Sequence, residues 1–222
     1  MRRATRDASG TLVTVAGDPG RIVSLVPSLT ETLFTLGLGS RVVGVTDLVI
    51  ADLEENRETD TRRLRARGVP VWVDFPCNVT DVLDRVRRPA SLGAPAGRAR
   101  DLLASTESAA RAATRQRDAP RRCLIAVWQD PRMTVSAATY AHDLLAHPGL
   151  ANVFAEAPER YPPVTAAEII ADDPEVRLLP DEPYAFSARH ARQAADDFRT
   201  TTAAGRGAIH LVEGTLAFGH GP

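Results

Sequence analysis

Residues 21–39, RIVSLVPSLTETLFTLGLG, decide the fold class of this chain. Residues 22–26 form a short apolar run, the pattern of a strand that is buried on both faces of a parallel sheet. A proline ends this run, and Ser28 or Thr30 then stands where it can cap a helix, with Glu31 in the first turn. Two nearby glycines supply the stop signal for that helix. The stretch therefore predicts strand, tight loop and helix, which is half of a βαβ unit.

Residues 41–51, RVVGVTDLVIA, follow directly and read as two strands without a connection between them. Two neighbouring parallel strands need a crossover of about a dozen residues or more. Two interpretations answer this conflict. Either the stretch forms one long strand, or a crossover has been lost between two strands.

The rest of the chain alternates between strand-like and helix-like segments. The predicted strands lie at residues 11–15, 69–73, 123–128, 176–179 and 209–212. The predicted helices lie at residues 53–67, 81–88, 138–147, 165–171 and 186–200. Pro89 is expected to end the second of these helices, because proline cannot continue a helix interior. Such alternation favours an α/β protein with mainly parallel sheets.

One predicted helix stands apart because it is long and free of proline and of interior glycine. It covers residues 97–117 and separates one α/β block from the next. We therefore predict three parts, which are an N-terminal lobe at residues 1–96, a bridging helix at residues 97–117 and a C-terminal lobe at residues 118–222.

Composition limits the functional class. The chain has 222 residues, a formal net charge of -1 and 44% hydrophobic residues. It contains no lysine, so its basic side chains apart from histidine are all arginines. This balance gives no basic footprint for nucleic acid. The start, MRRATRD, is basic but lacks the apolar region of a secretory signal, and no run approaches the ~18 apolar residues of a membrane helix. Taken alone, the chain as written predicts a cytoplasmic protein.

Motifs for catalysis and for cofactors are missing from the sequence. No GxGxxG, GxxxxGK[ST] or GxSxG pattern occurs, so no dinucleotide, ATP or hydrolase site is predicted. Asp52, Glu54 and Glu55 are interpreted as the acidic start of a charged helix. The histidines are scattered, and Cys77 and Cys123 form either two buried thiols or one disulfide without metal spacing. We therefore predict no catalytic residue, no metal site and no resident cofactor.

Four segments resemble, in order, motifs of the class III periplasmic binding proteins, also called helical-backbone metal receptors, which include cobalamin-binding proteins. Residues 21–47 resemble the opening of these proteins, and VWQDPRMTV at 127–135 resembles their Trp-x-x-Pro-x-Met-Thr segment. Residues 139–154 resemble their helix and loop that end in Asn-Val-Phe. Residues 161–186 resemble the helix that opens on Pro-x-Val-(Ser/Thr), carries a glutamate and precedes a strand and the cleft loop.

The resemblance implies two Rossmann-like lobes with mainly parallel sheets, joined by one long backbone helix. It implies a monomeric, extracytoplasmic substrate-binding protein of an ABC importer, with the ligand between the lobes and both lobes docking on permease subunits. The implied ligand is cobalamin or another corrinoid, and a ferric siderophore or haem is the alternative. A further alternative is a degenerate, non-transporting remnant or a cytosolic α/β protein.

The resemblance also assigns candidate binding residues. Ligands of open α/β sheets bind at the carboxyl ends of the strands, and a large flat ligand requires apolar walls with a few polar groups. Arginine at the site would favour an anionic siderophore, whereas aromatic residues favour a corrinoid. Glu168 is implied to dock on a permease arginine, and Phe186 is assigned to packing. The implied ligand-binding residues are Pro27, Ser28, Glu31, Phe75, Trp128, Arg132, Tyr161 and Tyr184.

The chain departs from the family pattern in three places. The family has a further segment between the strands of residues 41–51, which holds a helix and an acidic residue that pairs with a permease arginine. Pro89 and Arg177 interrupt a helix and a buried strand, and an unpaired buried arginine costs several kcal/mol. The C-terminal end, residues 218–222, lacks the family's Trp-x-Gly-Ser-Arg-like segment. These departures are typical of a degenerate or internally deleted member.

Overall fold

The computed structural model describes residues 2–16, 18–43, 48–53, 56–90, 94–114 and 119–219. Side chains are described for these residues except 2, 3, 16, 85, 88–90, 216 and 219. The chain divides into two compact units. The N-terminal unit contains Met1–Pro76 and Thr80–Ala109, and the C-terminal unit contains Cys77–Val79 and Ala110–His220.

The N-terminal unit combines a parallel sheet with a separate antiparallel hairpin. The parallel sheet has three strands in the order β3-β4-β5, and β1 and β2 form the hairpin. Its elements are β1 (Arg2–Arg6), β2 (Leu12–Ala16), β3 (Ile22–Ser24), α1 (Pro27–Thr35), β4 (Leu48–Asp52), α2 (Glu58–Ala66), β5 (Val71–Asp74), α3 (Val79–Ala90) and α4 (Ala96–Ala113). All five residues of β4 are buried, as expected for the central strand of a sheet that is covered on both faces.

Helix α1 begins differently from the sequence prediction. Pro27 occupies its first turn and Val26 is the N-cap, with no side-chain cap from Ser28 or Thr30. Proline suits this position because its missing N–H would have no partner in the first turn of a helix. Glu31 lies beyond the first turn, so the predicted dipole contact is also wrong. The predicted strand and helix themselves are confirmed at this position.

The stretch at residues 41–51 is not one long strand over its described part. Ile22 of β3 has two parallel partners, Val42 in an isolated bridge and Leu48 at the start of β4. Only residues 43–47 connect these two partners along the chain, and residues 44–47 lie outside the described part. Parallel partners are normally joined by about a dozen residues or more, so this geometry favours the interpretation that a crossover has been lost.

Two further boundaries correct the prediction. Asp52 ends the buried strand β4 instead of opening the charged helix, which begins at Glu58, while Glu54 and Glu55 lie outside the described residues. Helix α3 runs to Ala90 and thus continues one residue past Pro89. Local sequence signals mark the presence of these elements well and their ends less well.

Helix α4 is the long helix that the sequence predicts. It runs over Ala96–Ala113, and the boundary between the two units falls inside it, between Ala109 and Ala110. Leu102 and Leu103 pack against the core of the N-terminal unit. The predicted last turn, at residues 115–117, lies outside the described part of the chain.

The C-terminal unit contains a four-stranded parallel sheet in the order β11-β10-β6-β9 and a short antiparallel hairpin, β7-β8. Its elements are β6 (Arg121–Ile125), β7 (Trp128–Gln129), β8 (Arg132–Met133), α5 (Tyr140–Ala146), β9 (Leu150–Asn152), α6 (Ala166–Ala171), β10 (Val176–Pro180), α7 (Ala188–Asp197), α8 (Thr202–Gly205) and β11 (Ile209–Val212). Cys123 and Ile125 belong to one buried cluster, whereas Leu124 belongs with Leu179 to another. Successive residues of β6 therefore pack into different cores. Both units are thus α/β bodies with parallel sheets, as predicted. Within the described residues, no helix has the length and apolar character needed to cross a membrane.

Candidate functional site

An aromatic cluster lies beyond the carboxyl ends of β6 and β10 in the C-terminal unit. We define it as Trp128, Tyr184, Phe186 and His190. The ring centroids of Trp128 and Tyr184 are 5.2 Å apart in an edge-on arrangement, and those of Tyr184 and Phe186 are 4.7 Å apart. His190 adds edge-on contacts to Tyr184 at 5.4 Å and to Phe186 at 5.7 Å. Such offset and edge-on contacts hold aromatic rings in fixed orientations.

The aromatic cluster runs from the core to the surface. Phe186 is 5% exposed and His190 is 9% exposed, whereas Trp128 is 41% exposed. Tyr184 is half-buried between them. The buried members therefore anchor two rings that remain partly accessible to a ligand, and Phe186 packs as the sequence predicts.

Two other predicted residues of this unit have different surroundings. The guanidinium of Arg132 lies over the ring of Phe198, 5.9 Å from its centroid. Tyr161 is half-buried against the cluster that contains Cys123, and the guanidinium of Arg160 lies 5.8 Å from its ring centroid. The structure therefore brings Trp128 and Tyr184 together but gives Arg132 and Tyr161 packing contacts of their own.

Arg177 of β10 is a buried cation, as the sequence predicts. It is 4% exposed, and its Nε and Nη1 atoms have no hydrogen-bond partner among the described residues. Its guanidinium lies 4.3 Å from the ring centroid of Phe198, which supplies a cation–π contact. Burial, together with the smaller effect of the nearby positive charge of Arg132, lowers the pKa of Arg177 to about 10, while Asp197 opposes the shift. Among the described residues, the charge is therefore stabilised by an aromatic face and at longer range by Asp197, without an ion pair to a carboxylate.

The predicted residues of the N-terminal unit form no comparable cluster among the described side chains. On α1, Pro27 and Glu31 are exposed and Ser28 is buried. Phe75 follows β5 and lines a cavity whose other walls are mainly carboxylate side chains. These residues are Asp7, Asp74, Asp81 and Asp84. An acidic cavity of this kind does not resemble the apolar wall that a flat macrocycle requires.

Glu168, the predicted docking residue, lies exposed in the first turn of α6. Thr165 is the N-cap, and its backbone N–H and hydroxyl both donate to Oε2 of Glu168 at 2.7 Å. These hydrogen bonds lower the pKa of Glu168 and keep it ionised. The capping box thus holds a charged carboxylate in a fixed place on the surface.

The described residues contain no group of three or more histidine, cysteine or acidic side chains arranged to hold a metal ion. Asp143 of α5 and His147, the C-cap residue that follows this helix, are four residues apart with 3.9 Å between Oδ2 and Nε2, a spacing that the sequence prediction overlooked. Cys77 and Cys123 are free thiols, and burial raises the pKa of Cys123 to about 12. A thiol with so high a pKa is unreactive at neutral pH.

The residues that hold the aromatic cluster and the nearby arginines in place were not predicted from the sequence. The backbone N–H of Ser187, the N-cap of α7, donates to Nδ1 of His190 at 3.1 Å. The signal was present, because Ser187 and His190 have the N-cap to N3 spacing of a capping box, with histidine in place of the usual glutamate. Phe198 was overlooked for a different reason, since no local pattern shows which arginines a distant ring contacts.

Comparisons with known protein sequences show which proteins the chain resembles. No model of a known protein family matches the chain. Over 40 residues, which are 18% of this chain and 13% of the relative, it is 58% identical to an uncharacterized ABC transporter substrate-binding lipoprotein of Bacillus subtilis. Over 215 residues, which cover 81% of this chain and 74% of the relative, it is 23% identical to a vitamin B12-binding protein of Vibrio parahaemolyticus.

Solved structures agree over most of the chain. A periplasmic heme-binding protein from Roseiflexus sp. RS-1 matches with a TM-score of 0.75 and 24% identity, over 91% of this chain and 92% of that protein. A periplasmic vitamin B12-binding protein of Vibrio cholerae matches with a TM-score of 0.75 and 17% identity, over 90% and 89% of the two chains. The chain therefore has the fold of the class III periplasmic binding proteins, the family that its sequence motifs resemble.

Proposed function

We propose that this chain is a substrate-binding protein of an ABC importer that binds cobalamin or another corrinoid and delivers it to a permease. The aromatic cluster carries this proposal. Trp128 and Tyr184 present partly exposed rings at fixed angles, with one hydroxyl group among them. A wall of this kind suits a large flat ligand with polar groups at its rim.

Similar proteins support the same class of activity. A vitamin B12-binding protein matches most of the chain, and the short, highly identical match is to a substrate-binding lipoprotein. Proteins of this class bind and release a ligand, so no bond is made or broken. We therefore propose an extracytoplasmic binding protein that has no catalytic activity.

Haem is the second candidate ligand. The structural likeness to a heme-binding protein favours it, and an aromatic wall fits a porphyrin as well as a corrin. An anionic siderophore has less support, because the predicted cation, Arg132, lies over Phe198. The Trp128–Tyr184 pair therefore supports a macrocycle over a siderophore.

We propose Glu168 as the contact to a permease arginine. Both hydrogen bonds from Thr165 go to Oε2, and Oε1 has no donor among the described residues. A carboxylate with one accessible oxygen can accept a charge-assisted hydrogen bond from a partner's guanidinium. Glu168→Gln removes the charge but keeps an N3 side chain that can complete a capping box, so it separates docking from helix stability.

Ligand titration tests the proposal directly. Calorimetry and thermal unfolding with cyanocobalamin, hemin and a ferric catecholate siderophore would be compared on the same protein. A ligand present at about 100 times its dissociation constant stabilises the folded state by about 2.7 kcal/mol. We expect cyanocobalamin or hemin to raise the melting temperature, and Trp128→Ala to weaken binding by about tenfold or more. Leu211→Ala is the matched control, because Leu211 is 46% exposed on β11, outside the aromatic cluster.

The same titration separates the remaining alternative. A non-transporting remnant that keeps the fold would bind none of the three ligands, and this result would overturn the proposed function. Binding without uptake, in proteoliposomes that carry an ABC permease and its ATPase, would retain ligand recognition and reject delivery. The short connection between Val43 and Leu48 makes this second outcome worth testing, because the family carries a docking residue in the corresponding segment.

A further inference from the structure

His190 links the start of α7 to the hydroxyl group of Tyr184. Its Nδ1 atom lies 3.1 Å from the backbone N of Ser187 and 3.0 Å from the Ser187 hydroxyl. Its Nε2 atom lies 3.4 Å from the hydroxyl oxygen of Tyr184 and 3.3 Å from a guanidinium nitrogen of Arg189. The position of the imidazole proton therefore decides which of these contacts are hydrogen bonds.

The backbone of Ser187 decides the tautomer. A backbone N–H can only donate, so Nδ1 must present a lone pair to it. The Ser187 hydroxyl can donate to the same lone pair. Neutral His190 then carries its proton on Nε2, where it points toward Tyr184.

Arg189 favours the opposite tautomer, but its contact with Nε2 is easier to lose than the contact of the Ser187 N–H with Nδ1. A guanidinium is also only a donor, so it would require a lone pair on Nε2. The side chain of Arg189 belongs to an exposed residue and can turn into water, whereas the N–H of Ser187 is fixed by the start of the helix. Leaving a backbone donor without its acceptor costs far more free energy than turning an exposed arginine into water.

We infer that His190 is a positioning residue that makes Tyr184 a hydrogen-bond donor to the ligand. The Nε2–H group of His190 donates to the hydroxyl oxygen of Tyr184, and this oxygen has no other protein partner among the described residues. The hydroxyl proton of Tyr184 is therefore directed away from His190. This inference rests on the proposed function, because it assigns the side of the ligand that meets the aromatic cluster.

The inference names a ligand chemistry. A tyrosine that already accepts a hydrogen bond offers a proton and selects an acceptor, such as an amide carbonyl or a carboxylate at the rim of a macrocycle. A ligand that presents only donors at this point would leave the Tyr184 proton without an acceptor, which opposes binding. His190 thus acts on specificity through Tyr184 without touching the ligand.

Three substitutions at His190 separate positioning from helix capping. His190→Glu keeps the N3 acceptor for Ser187 but is acceptor-only, so the Tyr184 hydroxyl must turn to donate to it. His190→Gln offers both an acceptor for Ser187 and a donor for Tyr184, and His190→Ala offers neither. With cyanocobalamin and hemin as probes, we expect His190→Glu to lower affinity about 3- to 10-fold and His190→Gln to change it less than twofold.

The double variant shows whether the effect passes through Tyr184. Tyr184→Phe alone should lower affinity about as much as His190→Glu, and the pair should lose no more than either change alone. An equal further loss from His190→Glu in the Tyr184→Phe background would overturn the positioning role. Melting temperatures of the variants would show in parallel that each protein is folded.

Nitrogen NMR of the ligand-free protein tests the tautomer independently. Ring 15N shifts distinguish a protonated from an unprotonated imidazole nitrogen, and we expect the proton on Nε2 at neutral pH. A proton on Nδ1 would overturn the inference while leaving the proposed function intact. Absence of binding by both probes, with the proton on Nε2, would reject the proposed function and leave the positioning of Tyr184 as a property of the fold.

Discussion

The two units of this protein are built on the same principle but differ in regularity. In the C-terminal unit, each parallel strand is followed by at least one helix before the next parallel strand, as in β9, α6, β10 and α7. In the N-terminal unit, Ile22 has parallel partners at Val42 and Leu48, which are joined by five residues, 43–47. The C-terminal unit also holds the aromatic cluster, whereas the described binding candidates of the N-terminal unit remain dispersed.

Helix starts show the same contrast. Threonine side chains cap α5, α6 and α8 in the C-terminal unit. In the N-terminal unit, α1 and α2 begin at Val26 and Arg57 without a side-chain cap. The hydrophobic cores of both units are nevertheless closed, since each contains leucines of 1% exposure or less. A buried core can thus persist while the connections and the helix caps around it become irregular.

The largest effect that tests this contrast is truncation of matched core leucines. Leu48 on β4 is 0% exposed and Leu124 on β6 is 1% exposed. We expect Leu48→Ala and Leu124→Ala each to lower the free energy of unfolding by about 2–5 kcal/mol, because both leave a cavity in a packed core. Trp72 of β5 and Trp128 of β7 provide one fluorescent probe in each unit, with the other tryptophan replaced by phenylalanine.

Urea titrations of these variants would show that the two cores are not equally well packed if the two losses in the free energy of unfolding differed strongly. A loss below about 1 kcal/mol at Leu48 would show that the N-terminal core collapses around the missing atoms and is loosely packed. Leu211→Ala on exposed β11 should change the free energy of unfolding by less than about 0.5 kcal/mol and serves as the control.

Arg177 tests whether the more regular unit also contains a costly feature. Its pKa is lowered from the ordinary value of arginine to about 10, mainly by burial, so the folded state disfavours the charged form. A shift of this size corresponds to about 3 kcal/mol, and the cost is fully present below pH 10. We expect Arg177→Met to raise the free energy of unfolding by about 1–3 kcal/mol at pH 7, because the lost contact to Phe198 offsets part of the gain.

The pH dependence identifies the cause of that gain. The unfolded state binds the Arg177 proton more tightly, so the wild-type protein should recover stability as the pH rises from about 10 toward the ordinary pKa of arginine. The difference between wild type and Arg177→Met should therefore be constant near neutral pH and shrink above pH 10. A loss of stability in Arg177→Met at pH 7 would show that the cation–π contact outweighs desolvation. Arg206→Met, which removes an exposed ion pair with Glu175, should change stability by no more than about 1 kcal/mol.

The parts that sequence predicted well are those that depend on periodicity and on local caps. The alternation of apolar runs predicted the parallel strands of both units, and the Thr165 cap with Glu168 in the first turn was visible in the spacing. The positions of Trp128 and Tyr184 after strands were also visible in the sequence, and parallel topology brings the two rings together at one edge of the sheet. Their contact with a ligand stays a prediction.

The parts that sequence did not predict depend on tertiary contacts. Arg132 has the same local context as a binding arginine, yet its guanidinium lies over the ring of Phe198, 66 residues along the chain. Ser28 resembles an N-cap, but Pro27 fits the first helical turn and moves the cap to Val26. The role of His190 required the position of one backbone N–H, which no pattern of residue types contains.

The smallest effects concern the helix caps. One substitution removes a cap from a helix of the C-terminal unit, and the other adds a cap to a helix of the N-terminal unit. Thr165→Ala removes a cap and should lower the free energy of unfolding by about 1 kcal/mol. Arg57→Ser places a capping residue before α2, where Arg57 has an extended backbone at φ -66 and ψ 129. We expect this change to raise the free energy of unfolding by about 0.5 kcal/mol, since an N-cap hydroxyl can accept from an otherwise unpaired backbone N–H. Urea unfolding followed by Trp128 for α6 and by Trp72 for α2 measures both changes.

The pH dependence of stability distinguishes the contribution of the α6 capping box from that of helix propensity. Hydrogen bonds from Thr165 lower the pKa of Glu168 relative to the unfolded chain, so the stabilisation is present above the ordinary pKa of glutamate and is lost as the pH falls through the lowered value. The difference between wild type and Thr165→Ala should thus narrow in acid as Glu168 takes up a proton. An unchanged Thr165→Ala difference across this range would assign the effect to the threonine hydroxyl alone and would remove the charged carboxylate of Glu168 from the stability of α6, which leaves its surface charge available for docking.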